Sequence, residues 1–182
     1  HQQLAAIRAR HANEKIIIAA HSAGGIVARM ALVRPDAIKV DTLITIATPH
    51  MGSHRALDGL QVVDAKPFFC PGPGVDFLKS LAGGSSYRYV RDSRAALVDL
   101  LPATYGSTLD WLNRQPHPQI DYHAIVKQVP GSDGDGIVPV FSQDMNQAAA
   151  LRGRARVYMT HSSHALNVND GELVLSIMEE AS

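Results

Sequence analysis

The sequence predicts an α/β domain built on a mostly parallel sheet with helices on both faces. Three observations carry that expectation. Short, continuous apolar runs recur, of the kind that suits strands buried on both faces. The clearest are Lys15-Ile-Ile-Ile-Ala-Ala20 and Val40-Asp-Thr-Leu-Ile-Thr-Ile-Ala47. A helical pattern separates these two runs, which makes a βαβ unit with a right-handed crossover. The same strand and helix alternation resumes toward the C-terminal end.

In chain order, Leu4 to about Ala12 has helical spacing. The first strand follows it. Gly24-Gly25 then open an amphipathic helix whose apolar residues are Ile26, Val27, Met30, Ala31 and Val33, and Pro35 ends it. The β-branched run to Ala47 is the second strand. The segment 48–118 is read as a cap or lid insertion. It is too long for a plain connection and holds Pro71-Gly-Pro-Gly74 and Gly83-Gly-Ser-Ser86. Within it, helices are expected near 94–101 and 108–113. Tyr122–Lys127 is the third strand, a loop rich in Gly and Asp spans Val129 to Pro139, and Ala155–Met159 is the last strand. A helix over Glu172–Glu180 closes the chain, with Leu173, Ile177 and Met178 facing inward.

Composition narrows the function classes. The 182 residues suit one domain, 1–182, and 46% apolar with 19% charged residues excludes a disordered or fibrous chain. Lys and Arg number 17 against 17 Asp and Glu, so no basic face points to nucleic acid. No apolar run approaches the roughly 18–20 residues that a membrane-spanning helix needs. The single cysteine, Cys70, closes no internal disulfide. Metal and phosphate motifs are absent: neither H-E-x-x-H, C-x-x-C, G-x-x-x-x-G-K-[ST] nor G-x-G-x-x-G occurs. Neither a metal nor a cofactor is expected.

The sharpest signal is Ala20-His-Ser-Ala-Gly24, set between a strand and a helix. A nucleophilic serine must stand clear of the backbone on a very tight turn, so its neighbours two positions away must be small. Ser22 is the candidate nucleophile. The N–H of Ala23, at the start of the helix, is placed to hold an oxyanion. Such a serine needs a base, and the base needs an orienting carboxylate. The acid is expected after a later strand, where Gly131-Ser-Asp-Gly-Asp-Gly-Ile-Val-Pro139 offers Asp135, with Asp133 as alternate. Asp135 is preferred because it stands directly before Gly-Ile-Val-Pro, with glycine on each side. The base is expected after the last strand, in Thr160-His-Ser-Ser-His-Ala-Leu166. His164 is preferred there, and His161 is the alternate. His21 is expected to point away from the floor of the site, and His50 to serve structure rather than chemistry.

Together these segments resemble the α/β-hydrolase superfamily, in its bacterial lipase and esterase branch and the related inositol-deacylase-like hydrolases. The resemblance rests on Ile16–Met30, on Leu43–Ser53 with its Ala-Thr-Pro-His-Met-Gly-Ser, on Asp135–Pro139 and on Ser163–Leu166. Ala95-Ala-Leu-Val-Asp-Leu-Leu-Pro102 is similar to a helix common in that branch. Ala20 departs from the usual glycine of the elbow. The family also places further strands ahead of the one that carries the nucleophile. This chain supplies four, before Ser22, Thr48, Asp135 and His161. The resemblance therefore implies the C-terminal part of the fold. The first strands, and the His-Gly-type loop that gives the second oxyanion N–H, are expected upstream of His1.

The function so implied is a serine hydrolase that cleaves carboxylic esters, lipid or other acyl esters, through Ser22, Asp135 and His164. Phe68, Phe69, Phe77, Leu78 and Leu81 are candidates for an apolar acyl pocket or lid. A thioesterase, amidase or acyltransferase on the same triad is the alternative, and a non-catalytic binding protein on the scaffold is a third possibility.

Overall fold

The computed structural model describes residues 2–55 and 99–180. Among them the elements in chain order are α1 (Gln2–Arg10), β1 (Ile17–His21), α2 (Ala23–Leu32), β2 (Thr42–Ile46), α3 (Thr108–Arg114), β3 (Asp121–Lys127), a short helix α4 (Val140–Gln143), two 3₁₀ turns (Met145–Gln147 and Ala149–Leu151), β4 (Ala155–Thr160) and α5 (Val168–Glu180). The strands form one sheet in the order β1-β2-β3-β4, and every neighbouring pair is parallel.

Parallel strands need crossover connections, and those connections cover the sheet. Side chains alternate along each strand, so two faces form. On one face Leu43, Tyr122, Ala124 and Val126 pack with Ala28 and Leu32 of α2 and with Met145, Ala148 and Leu151. On the other, Ile44, Ile46 and Ile125 meet Ile177, with Leu173, Val174 and Met178 of α5 beside them. Residues Thr42–Ile46 are buried along their whole length, as their apolar run requires. A third cluster joins Ile26 of α2 to Leu109 and Leu112 of α3.

The helix that closes the described chain starts one turn earlier than its apolar spacing suggests. Asn167 and Asp170 explain this. The Asn167 N–H donates to Asp170 Oδ2 at 2.9 Å, and the Asp170 N–H donates to Asn167 Oδ1 at 3.2 Å. This is a reciprocal cap of the helix start. The helical segment 140–151 also went unforeseen, because its turns are short. Phe68, Phe69, Phe77, Leu78, Leu81, Cys70 and nearly all of the helix expected over 94–101 lie outside the described residues. So does most of the expected insertion.

Among the described residues, two other than glycine have positive φ, Ser22 at 53° and Ala47 at 52°. They follow β1 and β2, at the same end of adjacent strands. There the chain from Thr48 onward crosses in front of α2. A Cβ on Gly25 would lie 2.2 Å from Thr48 Oγ1 and 2.6 Å from its Cγ2, so only glycine permits this approach. Gly24 differs: its Cβ would meet Ala20 Cβ at 3.9 Å, an ordinary contact. Of the pair Gly24-Gly25, only the second carries the close approach. Gly25→Ala is expected to lower stability by about 1–3 kcal/mol through overpacking. Gly24→Ala is expected to be neutral or slightly stabilising, because alanine suits a helix better. Urea unfolding midpoints of the two variants check this.

Candidate active site

The site lies at the carboxyl ends of the parallel strands, where crevices of open α/β sheets bind ligands. Ser22 occupies the turn between β1 and α2, with φ 53° and ψ −131°. Its N–H donates to Ile46 O at 2.9 Å. Its carbonyl accepts the Gly25 N–H at 3.0 Å and the Thr48 hydroxyl at 2.9 Å. Ser22 stands at the N-cap of α2, where a serine ordinarily turns inward to cap the helix. Its side chain makes no such bond. Instead Ser22 Oγ lies 2.9 Å from His164 Nε2. Ala23 is the first residue of α2, so its N–H has no partner within the helix.

His164 lies between β4 and α5. Its Nδ1 is 2.7 Å from Asp135 Oδ2. An ionised carboxylate only accepts, so Nδ1 carries the proton and Nε2 offers a lone pair to the Ser22 hydroxyl. The His164 backbone N–H also donates to Asp135 O at 3.1 Å. Asp135 is buried. Its other oxygen, Oδ1, accepts the N–H groups of Ile137 at 2.8 Å and Val138 at 2.7 Å. The glycines on either side make this turn possible: Gly136 has φ +94°, and a Cβ on Gly134 would lie 2.1 Å from Val138 O. Burial by itself raises the Asp135 carboxyl, but the hydrogen bonds from His164, Val138 and Ile137 and the nearby imidazole outweigh it. The net shift is downward, and the group stays ionised.

Of the residues singled out in the sequence, Ser22, His164 and Asp135 are thus brought into one hydrogen-bonded chain. The alternates are elsewhere. Asp133 is exposed, and its carbonyl accepts Val140 N–H at 2.8 Å. His161 is exposed at the end of β4. His21 corrects an expectation. Rather than turning away, its ring lies 4.9 Å from that of His164, and its Nε2 donates to His164 O at 2.8 Å. The reason is strand parity. Ile17, Ala19 and His21 share the face toward α5, and the segment that leads into α5 carries His164.

His50 is fully buried, away from solvent. Arg29 of α2, also buried, donates from Nη1 to His50 Nδ1 at 3.2 Å and from Nε to His117 Nε2 at 3.2 Å. Sequence reasoning missed this cluster, because Arg29 reads as the polar side of an amphipathic helix. Burial, followed by the Arg29 charge, pushes His50 well below the usual imidazole range. The same two causes lower His117 to about 4. Desolvation lowers Arg29 to about 10, so it remains charged at neutral pH.

Among the described residues, no group of three or more His, Cys, Asp or Glu is arranged to hold a metal ion, and no helix is long and apolar enough to cross a membrane.

Comparisons with known proteins complete the picture. The PGAP1-like alpha/beta domain is a family whose model matches, over residues 3–64. A search of curated proteins gives no match. Solved structures are similar along nearly all of the chain. An esterase from Exiguobacterium antarcticum has a TM-score of 0.58 at 14% identity, with 96% of this chain and 69% of that one covered. A carboxylesterase structure from the ammonia-oxidizing thaumarchaeon Nitrososphaera gargenis gives 0.57 at 15% identity, over 99% of this chain and 70% of that one. A Bacillus licheniformis lipase in its mature form gives 0.51 at 18%, over 100% and 71%. With the all-parallel sheet, these likenesses show that the chain has part of the α/β-hydrolase fold.

The buried imidazoles dictate a pH dependence. Both fold with a pKa below the ordinary value near 6.5, so the unfolded chain binds more protons in a window that opens below about pH 6.5 and, for His117, closes near pH 4. Their contribution is complete above that window and is lost as pH falls through it. The expected slope approaches about 2.7 kcal/mol per pH unit near pH 5 if both titrate only on unfolding. Urea unfolding at pH 7, 6 and 5 measures it, and His117→Gln should roughly halve it.

Proposed function

We propose that this protein is a serine hydrolase that cleaves carboxylic esters, lipid or other acyl esters, by way of an acyl-enzyme. The observation that carries the proposal is the chain from Ser22 Oγ to His164 Nε2 at 2.9 Å and from His164 Nδ1 to Asp135 Oδ2 at 2.7 Å. These are the separations that proton transfer between nucleophile and base requires. A serine that met these two groups by chance would have no reason to hold a strained backbone and forgo its helix cap.

In the proposed cycle Ser22 Oγ attacks the ester carbonyl carbon while His164 Nε2 takes the hydroxyl proton. Asp135 fixes the tautomer and stabilises the imidazolium. The carbonyl oxygen becomes an oxyanion and receives the Ala23 N–H at the positive end of α2. The C–O bond to the alcohol then breaks, and His164 gives its proton to the departing oxygen. Water, deprotonated by His164, attacks the acyl-enzyme and releases the acid and free Ser22. Support for an ester substrate comes from the fold neighbours, which are a carboxylesterase, a lipase and an esterase. Thioester or amide cleavage would use the same groups, so matched ester, thioester and amide substrates separate these outcomes.

The test is reaction with a fluorophosphonate, read by intact mass. One adduct is expected on the protein and none on Ser22→Ala. Labelling that survives in Ser22→Ala, or no labelling of the wild type, would refute the proposal. Asp135→Asn is expected to lower kcat for ester hydrolysis by about 10⁴-fold with little change in KM, because it misplaces the proton on His164.

A further inference from the structure

The acid and the base of the site stand on separate connections, one after β3 and one after β4. Something must hold their separation to a fraction of an ångström. Lys127, the last residue of β3, is fully buried. Its Nζ donates to Ala165 O at 2.7 Å and to Asp170 Oδ2 at 2.6 Å. Ala165 directly follows His164. Asp170 is buried as well, and the same oxygen accepts the Asn167 N–H that starts α5. The ammonium therefore grips both the base-bearing loop and the first turn of α5.

The main chain of Lys127 is itself fixed. The buried amide of Gln143 accepts the Lys127 N–H at 2.7 Å and donates to Lys127 O at 2.9 Å and to Val138 O at 2.8 Å. Val138 in turn donates its N–H to Asp135 Oδ1. One connected set of bonds thus runs from the acid loop through Gln143 and Lys127 to the residue next to the base. A buried ion pair is poor evidence for stability alone, since apolar residues of like volume often serve a core as well. Its retention at this place calls for another account.

Resting on the reading of Ser22, His164 and Asp135 as a hydrolytic triad, we propose that Lys127 is a positioning residue that sets the register of His164 against Asp135 and Ser22. It touches no substrate. It acts through the Ala165 carbonyl, with Asp170 as its counter-charge. This account separates a geometric role from a merely structural one. Loss of fold support alone would lower stability and leave the chemistry of folded molecules intact. Loss of register would slow the chemistry of molecules that remain folded, because a misplacement of about 1 Å costs on the order of 10²-fold.

The test compares the full protein with Lys127→Met/Asp170→Asn, which removes both charges together and keeps an acceptor at the α5 cap. Four quantities are read on folded protein: the rate of fluorophosphonate labelling at Ser22, kcat and KM for a short-chain p-nitrophenyl ester, and the His164 tautomer from ¹⁵N imidazole shifts. The expected result is a fall of about 10²-fold in labelling rate and kcat, KM within two-fold, and loss of the single Nδ1–H tautomer. Leu151→Ala, a core change on the opposite sheet face, controls for stability and should label at the wild-type rate. A folded double variant that labels within two-fold of wild type and keeps the tautomer overturns the proposal. Should the double variant not fold, Asp170→Asn alone is read, since it removes the charge that holds the ammonium beside Ala165 O. A loss of ten-fold or more in labelling rate and kcat, with KM within two-fold, supports the proposal, and a smaller loss overturns it. A wild type that fails to label refutes the triad reading itself, and the positioning role falls with it.

Discussion

The backbone conformation of Ser22 is the constraint on which the rest of the site depends. A residue other than glycine held at φ 53° costs on the order of 1–3 kcal/mol and persists only where its surroundings over-determine it. Here they do. The Ser22 N–H continues the β1–β2 ladder to Ile46, while its carbonyl is taken by both Gly25 and Thr48. Those bonds exist because the chain after β2 passes so close to α2 that residue 25 must lack a side chain. The same turn that strains Ser22 lifts its hydroxyl off the helix cap and presents it to His164. The Ser22 geometry, helix placement and the path of the Thr48–Ser53 segment are therefore one structural solution.

Much of this was legible in the sequence, for a physical reason. Ser22, Asp135 and His164 each sit where backbone geometry restricts residue type: small neighbours around the serine, glycines around the aspartate, a strand end before the histidine. Such restrictions are local and leave a trace in order and spacing. The continuous apolar run that buries Thr42–Ile46 is local in the same way. His21, Arg29 and Lys127 were not legible, because what defines them is a partner far away in the chain. Arg29 meets His117, and Lys127 meets Asp170. Nothing near Lys127 in sequence distinguishes a buried ammonium at a strand end from a solvated one. His50 is an intermediate case. Its place after a buried strand suggested a structural role, but its partner on α2 could be seen only in three dimensions.

Arg29 and Lys127, both buried, are accommodated differently. Arg29 spends its charge on the lone pairs of two neutral imidazoles, which ties α2 to the segments before and after α3. Lys127 meets a carboxylate and a carbonyl, the combination that best offsets desolvation of an ammonium. One sits deep against the α2 face of the sheet and the other at the strand ends toward α5. Polar groups thus enter both layers of an otherwise apolar core, and each joins elements that hydrophobic packing alone would leave free to slide.

The three residues of the hydrogen-bonded chain belong to three different connections, and 142 positions separate Ser22 from His164. Contacts of such sequence separation carry a large loop-closure entropy cost, and parallel pairing across a whole sheet is slow. The chain from Ser22 to Asp135 is accordingly complete only in a molecule whose sheet has assembled through to β4. The reverse also holds. β4 is an edge of the described sheet, paired on one side to β3, and the loop after it carries His164. Regions of this kind open at lower free energy than the central strands. Detachment of that edge separates the imidazole from the hydroxyl while Leu43, Ile44 and Ile125 stay packed. Assembly of the hydrogen-bonded chain therefore depends on an edge of the described sheet as well as on its core.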